Sequence, residues 1–218
     1  MGCGTARWSA DLLAAGYRVT GLEPASRMAE RASERLHGDP DFALVTKRVE
    51  DAMLPDGFAD AVLAMGSLQY TADPAASVAR IARWLKPGGV ACVLVDSKTA
   101  LVLELLRAGR SAEAAQRERT GVGVWTEAGH AADLHLLTAA DVRRYCIDAG
   151  LQLLATHGLL VGASVVGRAE LKVRLDEDFD RQLDEEREWA ARPEFADFGK
   201  QILVVARAPS NGSEPGDL

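Results

Sequence analysis

Two glycines one residue apart open the chain in Met1-Gly2-Cys3-Gly4-Thr5, and an acid, Glu23, ends the next apolar stretch in Gly21-Leu22-Glu23-Pro24. Glycine tolerates positive φ and has no side chain, so such a turn lets backbone approach a ligand closely. The helical pattern that follows directs unpaired N–H groups and the positive end of its dipole back toward the turn. An acid about 20 residues further on, at the end of the next strand, is where a nucleotide-binding βαβ unit holds ribose hydroxyls. These residues imply a nucleoside-binding corner. A dinucleotide fingerprint would need a third small residue for close helix–strand packing, and Arg7 stands there instead.

Further along, Glu50-Asp51-Ala52-Met53-Leu54-Pro55-Asp56-Gly57 puts carboxylates beside backbone N–H groups. An acceptor next to a donor is what an adenine edge requires, although Asp-Gly and Pro also mark an ordinary turn. Gly66-Ser67-Leu68-Gln69-Tyr70 follows an apolar run, and strand carboxyl ends are where open α/β sheets bind ligands. Gln69 or Tyr70 could orient a second ligand by hydrogen bonds; Tyr70 could equally cover the sheet edge. Lys86-Pro87-Gly88-Gly89 then precedes another apolar strand.

Taken in this order, GCGT, GLEPA, DAMLP and LKPGGV resemble the motifs of class I S-adenosylmethionine-dependent methyltransferases. The ordered resemblance covers about residues 2–95, and the remainder agrees only in pattern. It implies S-adenosyl-L-methionine as cofactor, with Gly2, Cys3, Gly4 and Thr5 facing its amino-acid part and Glu23 and Pro24 at the ribose. Asp51, with Glu50 as its rival and Ala52 beside them, would meet the adenine. Met28 would pack on the ring, unless it is simply a core methionine. Met65 and Gly66 would lie beside the methyl group, and Gln69, Tyr70, Trp125 and His135 would line the acceptor pocket. The family also carries a strand before the glycine turn. The expectation is therefore that the first strand is missing from the sheet and that coding sequence lies upstream of Met1.

Methyl transfer requires an in-line approach of nucleophile to sulfonium, so positioning can supply most of the rate. A general base is needed only for an acceptor that holds its proton at neutral pH. Histidine titrates nearest that range. His135, beside the expected lid, is the catalytic candidate, ahead of His130, whereas His157 lies in a strand and reads as structural. Cys3 reads as a packing residue. The cysteines Cys3, Cys92 and Cys146 lack metal-ligand spacing, and no metal site is expected.

The elements that must position these residues follow from periodicity. A helix from Thr5 presents Trp8, Leu12 and Leu13 on one face and stops at Gly16. Strand is expected over 17–23, helix over 26–36, strand over 42–49, and a strand buried on both faces over 59–65. A helix starting at Pro74 buries Val78, Ile81 and Leu85, and strand follows over 90–95. Helices over 98–107 and 111–120 lead to a loop at 121–125. Thr138 and Asp141 form a capping box for a helix with Val142, Tyr145 and Cys146 inward. Strands over 151–161 and 201–206 enclose one inserted amphipathic helix carrying Leu175, Phe179, Leu183 and Trp189. The fold class is α/β, a Rossmann-like sheet with helices on both faces and an antiparallel last strand.

At 218 residues the chain suits one domain: a cofactor half over about 1–97, a substrate and lid half over about 98–208, and a disordered tail over 209–218. The net charge of −7 argues against a nucleic-acid surface, which needs a basic stripe. No apolar run reaches membrane-spanning length, and a cytoplasmic setting is expected. The reading favours methylation of a small-molecule acceptor; a homodimer is compatible with it. An NAD(P)-dependent oxidoreductase would explain Gly2, Gly4 and Glu23 but not the DAMLP and LKPGG segments. A non-catalytic binding or interaction protein is the third reading.

Overall fold

The computed structural model describes residues 1–127 and 130–210, without the side chains of Trp125, Glu127, His130 and Arg168. The chain alternates helix and strand: α1 (Arg7–Ala14), β1 (Val19–Leu22), α2 (Ser26–Arg35), β2 (Phe42–Val45), β3 (Ala59–Met65), α3 (Pro74–Trp84) and β4 (Leu85–Asp96). Next come α4 (Lys98–Arg107), α5 (Ser111–Thr120), β5 (Val122–Glu127), β6 (His130–His135), α6 (Ala139–Asp148) and β7 (Gln152–Leu159). The last elements are α7 (Val161–Val166), α8 (Arg168–Glu177), α9 (Phe179–Ala190) and β8 (Gln201–Arg207).

β1 and β2 form a parallel pair. A four-stranded sheet runs β3-β4-β8-β7, in which β3 and β4 are parallel. β8 is antiparallel to both its neighbours, as expected for the last strand. No ladder joins β1 to β3. Residues 1–3 lie between them: Met1 N donates to Leu63 O at 2.7 Å, and Cys3 N donates to Leu22 O at 3.0 Å. This places the glycine turn at the carboxyl ends of two strands at once.

The core follows the period-2 pattern of the sheet. Ala91, Val93 and Val95 of β4 and Ile202, Val204 and Ala206 of β8 are buried, packed with Val78 and Ile81 of α3 and Val142 and Cys146 of α6. Each large side chain so buried contributes about 1.5–3 kcal/mol. The capping box is present: Thr138 Oγ1 accepts from Asp141 N, and the Asp141 carboxylate accepts from Thr138 N. Thr138→Ala is expected to cost about 1 kcal/mol in a urea melt; an unchanged midpoint would mean that α6 is held by packing alone.

Several expectations are corrected. Residues 121–125 are not a loop, because β5 pairs with β6 as an antiparallel hairpin. The β-branched residues Val122, Val124 and Thr126 suit a strand. The glycine-rich look of the segment has two other causes: Gly121 ends α5 at φ +64°, and Leu134 and Leu136 crowd Gly123. The long connection before β8 is not one amphipathic helix. It breaks at Gly167 and at Asp178, whose side chain accepts from Arg181 N to start α9, and Phe179 is left 58% exposed. Trp8 is 67% exposed while Ser9 takes the buried position of α1. β3 is exposed at Asp60 and Ala61, and β2 ends at Val45, four residues short of the strand expected over 42–49.

Candidate functional site

The glycine turn is built from residues that only tolerate its backbone with difficulty if they carry side chains. Gly2 sits at φ +64° and Gly4 at φ +56°, and a Cβ on Gly2 would come within 2.4 Å of Ser67 Cβ. Ala6 also takes φ +58°, an uncommon state for a residue with a Cβ. Two bonds hold this geometry from outside: Ser67 Oγ donates to Met1 O at 2.9 Å, and Arg35 Nε donates to Thr5 O at 2.8 Å. The turn is therefore clamped between β3 and α2.

Glu23, at the end of β1, is 7% exposed. Its two carboxylate oxygens each accept a backbone N–H, one from Gly4 at 2.9 Å and one from Ala25 at 2.9 Å. The side chain thus ties the glycine turn to the entry of α2. A carboxylate has about four acceptor sites, so both oxygens keep capacity for ligand hydroxyls.

A cavity of about 290 Å³ opens at this corner, close to the lower end of small-molecule sites, roughly 300–1,000 Å³. Of the expected cofactor residues, Gly2, Glu23, Pro24, Glu50, Met65 and Gly66 line it, and Tyr70 lines it from the acceptor side. Cys3, Gly4, Thr5, Met28, Asp51 and Ala52 do not border it. Glu50 Oε1 accepts from Ala72 N at 2.7 Å, which ties the turn after β2 to the segment before α3. Met28 is 43% exposed on α2. Lys47, Arg48, Val49, Ser67 and Thr71 were not anticipated as lining residues. Ser67 was legible, since it follows Gly66 in the motif; the basic pair carried no pattern.

Of the residues expected to line an acceptor pocket, Gln69 is 2% exposed and does not border the cavity. It makes a reciprocal pair with Asp96 at the end of β4: Gln69 Nε2 donates to Asp96 Oδ2 at 2.7 Å, and Asp96 N donates to Gln69 Oε1 at 3.1 Å. Gln201, at the start of β8, donates from Nε2 to Asp96 Oδ1 at 3.3 Å. Asp96 was missed from sequence; its position, an acid ending an apolar strand, was the available signal. Burial first, and then the Asp96 carboxylate, push the Tyr70 phenol up from its ordinary value, so it is a neutral donor at pH 7.

The β5–β6 hairpin lies against the turn that carries Gln69 and Tyr70, through β6. His135 pairs with Val122 at the hairpin base and does not border the cavity. The side chains of Trp125 and His130 are outside the described residues. His157 Nδ1 is 2.8 Å from Ala190 O, a bond between β7 and α9 that agrees with a structural role. Burial raises the Cys146 thiol to about 11 and also raises Cys3 and Cys92. Among the described residues no cluster of His, Cys, Asp or Glu could hold a metal ion, and no helix is long and apolar enough to cross a membrane.

The alternation of helix and strand with an antiparallel last strand is the Rossmann-like fold found in solved class I S-adenosylmethionine-dependent methyltransferases. Residues 1–93 match the methyltransferase domain family. Over 93 residues the chain is 36% identical to a ubiquinone biosynthesis O-methyltransferase of Xanthomonas oryzae pv. oryzae; the match covers 41% of this chain and 38% of the relative, well under half of its length. Solved structures extend the likeness to nearly the whole chain, at identities that speak for the fold alone. A methyltransferase from Methanosarcina mazei gives a TM-score of 0.65 at 14% identity, over 96% of this chain and 91% of the other. One from Listeria monocytogenes gives 0.64 at 16% identity, over 96% and 89%.

Proposed function

We propose that the chain is an S-adenosylmethionine-dependent methyltransferase that methylates a small-molecule acceptor. The observation that carries this is the joining of Gly2, Glu23, Glu50 and Gly66, from four separate segments of the chain, around one cavity at the carboxyl ends of β1 and β3. Glu23 would hold the ribose hydroxyls, Gly2 and its neighbours would receive the amino-acid part, and Val49 and Glu50 would meet the adenine. The bound cofactor supplies an electrophilic methyl group on a sulfonium. The chain's part is to hold the acceptor in line with it, and Tyr70 and Met65 stand at the border where the two ligands would meet. The hairpin of β5 and β6 would cover that border, with Trp125 and His135 as the lid residues to test.

Calorimetry on the purified chain distinguishes this from dinucleotide binding. S-adenosylmethionine and S-adenosylhomocysteine are expected to bind, and NAD and NADP are not. NADP is the demanding comparison, because Lys47 and Arg48 at the rim are the residues a ribose phosphate would use. Binding of NADP without S-adenosylmethionine would overturn the assignment. Release of S-adenosylhomocysteine with an acceptor panel separates an enzyme from a binding protein.

A further inference from the structure

The carboxylate of Asp96 is held by neutral partners alone. Gln69 and Gln201 each give it one amide N–H, and among the described residues no lysine, arginine or histidine forms an ion pair with it. Lys98, two residues on, and Lys200, next to Gln201, are turned elsewhere: Lys98 Nζ lies 2.6 Å from Glu118 and Lys200 Nζ lies 3.8 Å from Glu104. Asp96 is partly exposed and stands next to, not within, the set of residues lining the cavity. Tyr70, which follows the Gln69 bonded to Asp96 and whose phenol feels the Asp96 carboxylate, is 39% exposed and lines the cavity.

A carboxylate removed in part from water, oriented by two amides and lacking a counter-charge, is complemented best by a cation that brings its own N–H donors. An aromatic ring within reach of the same ligand would add to the attraction for an ammonium group. The reciprocal Gln69 bonds fix both the side chain and the backbone of Asp96, so the receptor is preorganised and loses little freedom on binding.

We propose that Asp96 and Tyr70 form the acceptor end of the site and that the acceptor belongs to the amines, bound through its ammonium group to the Asp96 carboxylate. This rests on the methyltransferase reading, since it takes the neighbouring cavity as the cofactor's. The ammonium anchors the acceptor, and the anchor is separate from the atom that is methylated. Tyr70, kept neutral at pH 7, offers its ring and its hydroxyl without adding a second negative charge.

The test uses the full chain saturated with S-adenosylhomocysteine and titrates matched probes by calorimetry at pH 7: 2-phenylethylamine against 2-phenylethanol, and cyclohexylamine against cyclohexanol. Each amine is expected to bind at least about tenfold more tightly than its alcohol, as a charge-assisted bond requires. In Asp96→Asn the two members of each pair are expected to bind within about threefold of one another. Asparagine can keep both glutamine contacts, because the Gln201 amide can turn to present its oxygen, and retained S-adenosylhomocysteine binding shows that the variant is folded. Equal binding of amine and alcohol by the wild-type chain overturns the proposal, as does a preference that survives Asp96→Asn, or failure of every probe while S-adenosylhomocysteine binds. Failure of S-adenosylhomocysteine itself to bind is a different result and removes the methyltransferase reading.

Discussion

Replacing Glu23 with alanine is expected to weaken S-adenosylmethionine binding about 10- to 100-fold and to lower stability by about 1.5–3 kcal/mol, the scale of hydrogen bonds to a charged group. Two effects act together. The carboxylate would bind ribose, and it also accepts from Gly4 N and Ala25 N within the chain. Removing it leaves two backbone donors short of a partner at a corner where Gly2, Gly4 and Ala6 all hold positive φ. The strained turn then loses one of the contacts that keep it in place. Glu23→Gln keeps one acceptor oxygen and is expected to fall between wild type and alanine in both measurements. Calorimetry with S-adenosylmethionine and a urea melt read the two effects separately. An unchanged dissociation constant beside a lowered melt would reduce Glu23 to a structural tie and remove it from the ligand.

The glycine corner was legible because its geometry is written in short-range order. Gly2, Gly4 and Glu23 announce a turn, a helix start and a strand end within about 20 residues, and the structure brings them together as expected. What the spacing could not tell is that Glu23 spends an N–H acceptor on each side of the turn. The same holds for Gln69, which reads as a polar residue at a strand end and hence as a substrate ligand. Its role depends on Asp96, 27 residues further on, and Asp96 in turn on Gln201, another 105 residues away, separations that no local pattern reports. The hairpin was hidden for a different reason: Gly121 and Gly123 look like loop residues, yet one is a helix stop and the other makes room for leucine side chains from β6 and its exit. In the helices before β8 the apolar spacing was real, but Asp178 divides it by capping a new helix between Leu175 and Phe179.

Gln69→Leu is expected to lower stability by about 2–3 kcal/mol, or roughly 5–10 °C in melting temperature for a chain of this size. The side chain is 2% exposed, so leucine fits the site without adding surface, and the loss is electrostatic. Asp96 N–H would lose its acceptor and the Asp96 carboxylate one of its two amide donors. A buried polar group left unpaired costs about 1–3 kcal/mol, and more when it is charged. That is a large share of the roughly 5–15 kcal/mol of a typical domain. The effect should be confined to the acceptor side, because Gln69 does not border the cavity that holds Gly2 and Glu23. S-adenosylmethionine affinity is therefore expected to stay within about threefold of wild type at temperatures where the variant is folded. A cycle with Asp96→Ala isolates the pair: if the two residues act as one unit, the double variant should lose less stability than the two single losses added, by about 1–2 kcal/mol. Strict additivity would show that Gln69 stabilises the turn before α3 by packing, and that the Asp96 carboxylate is held in place by Gln201 and water instead.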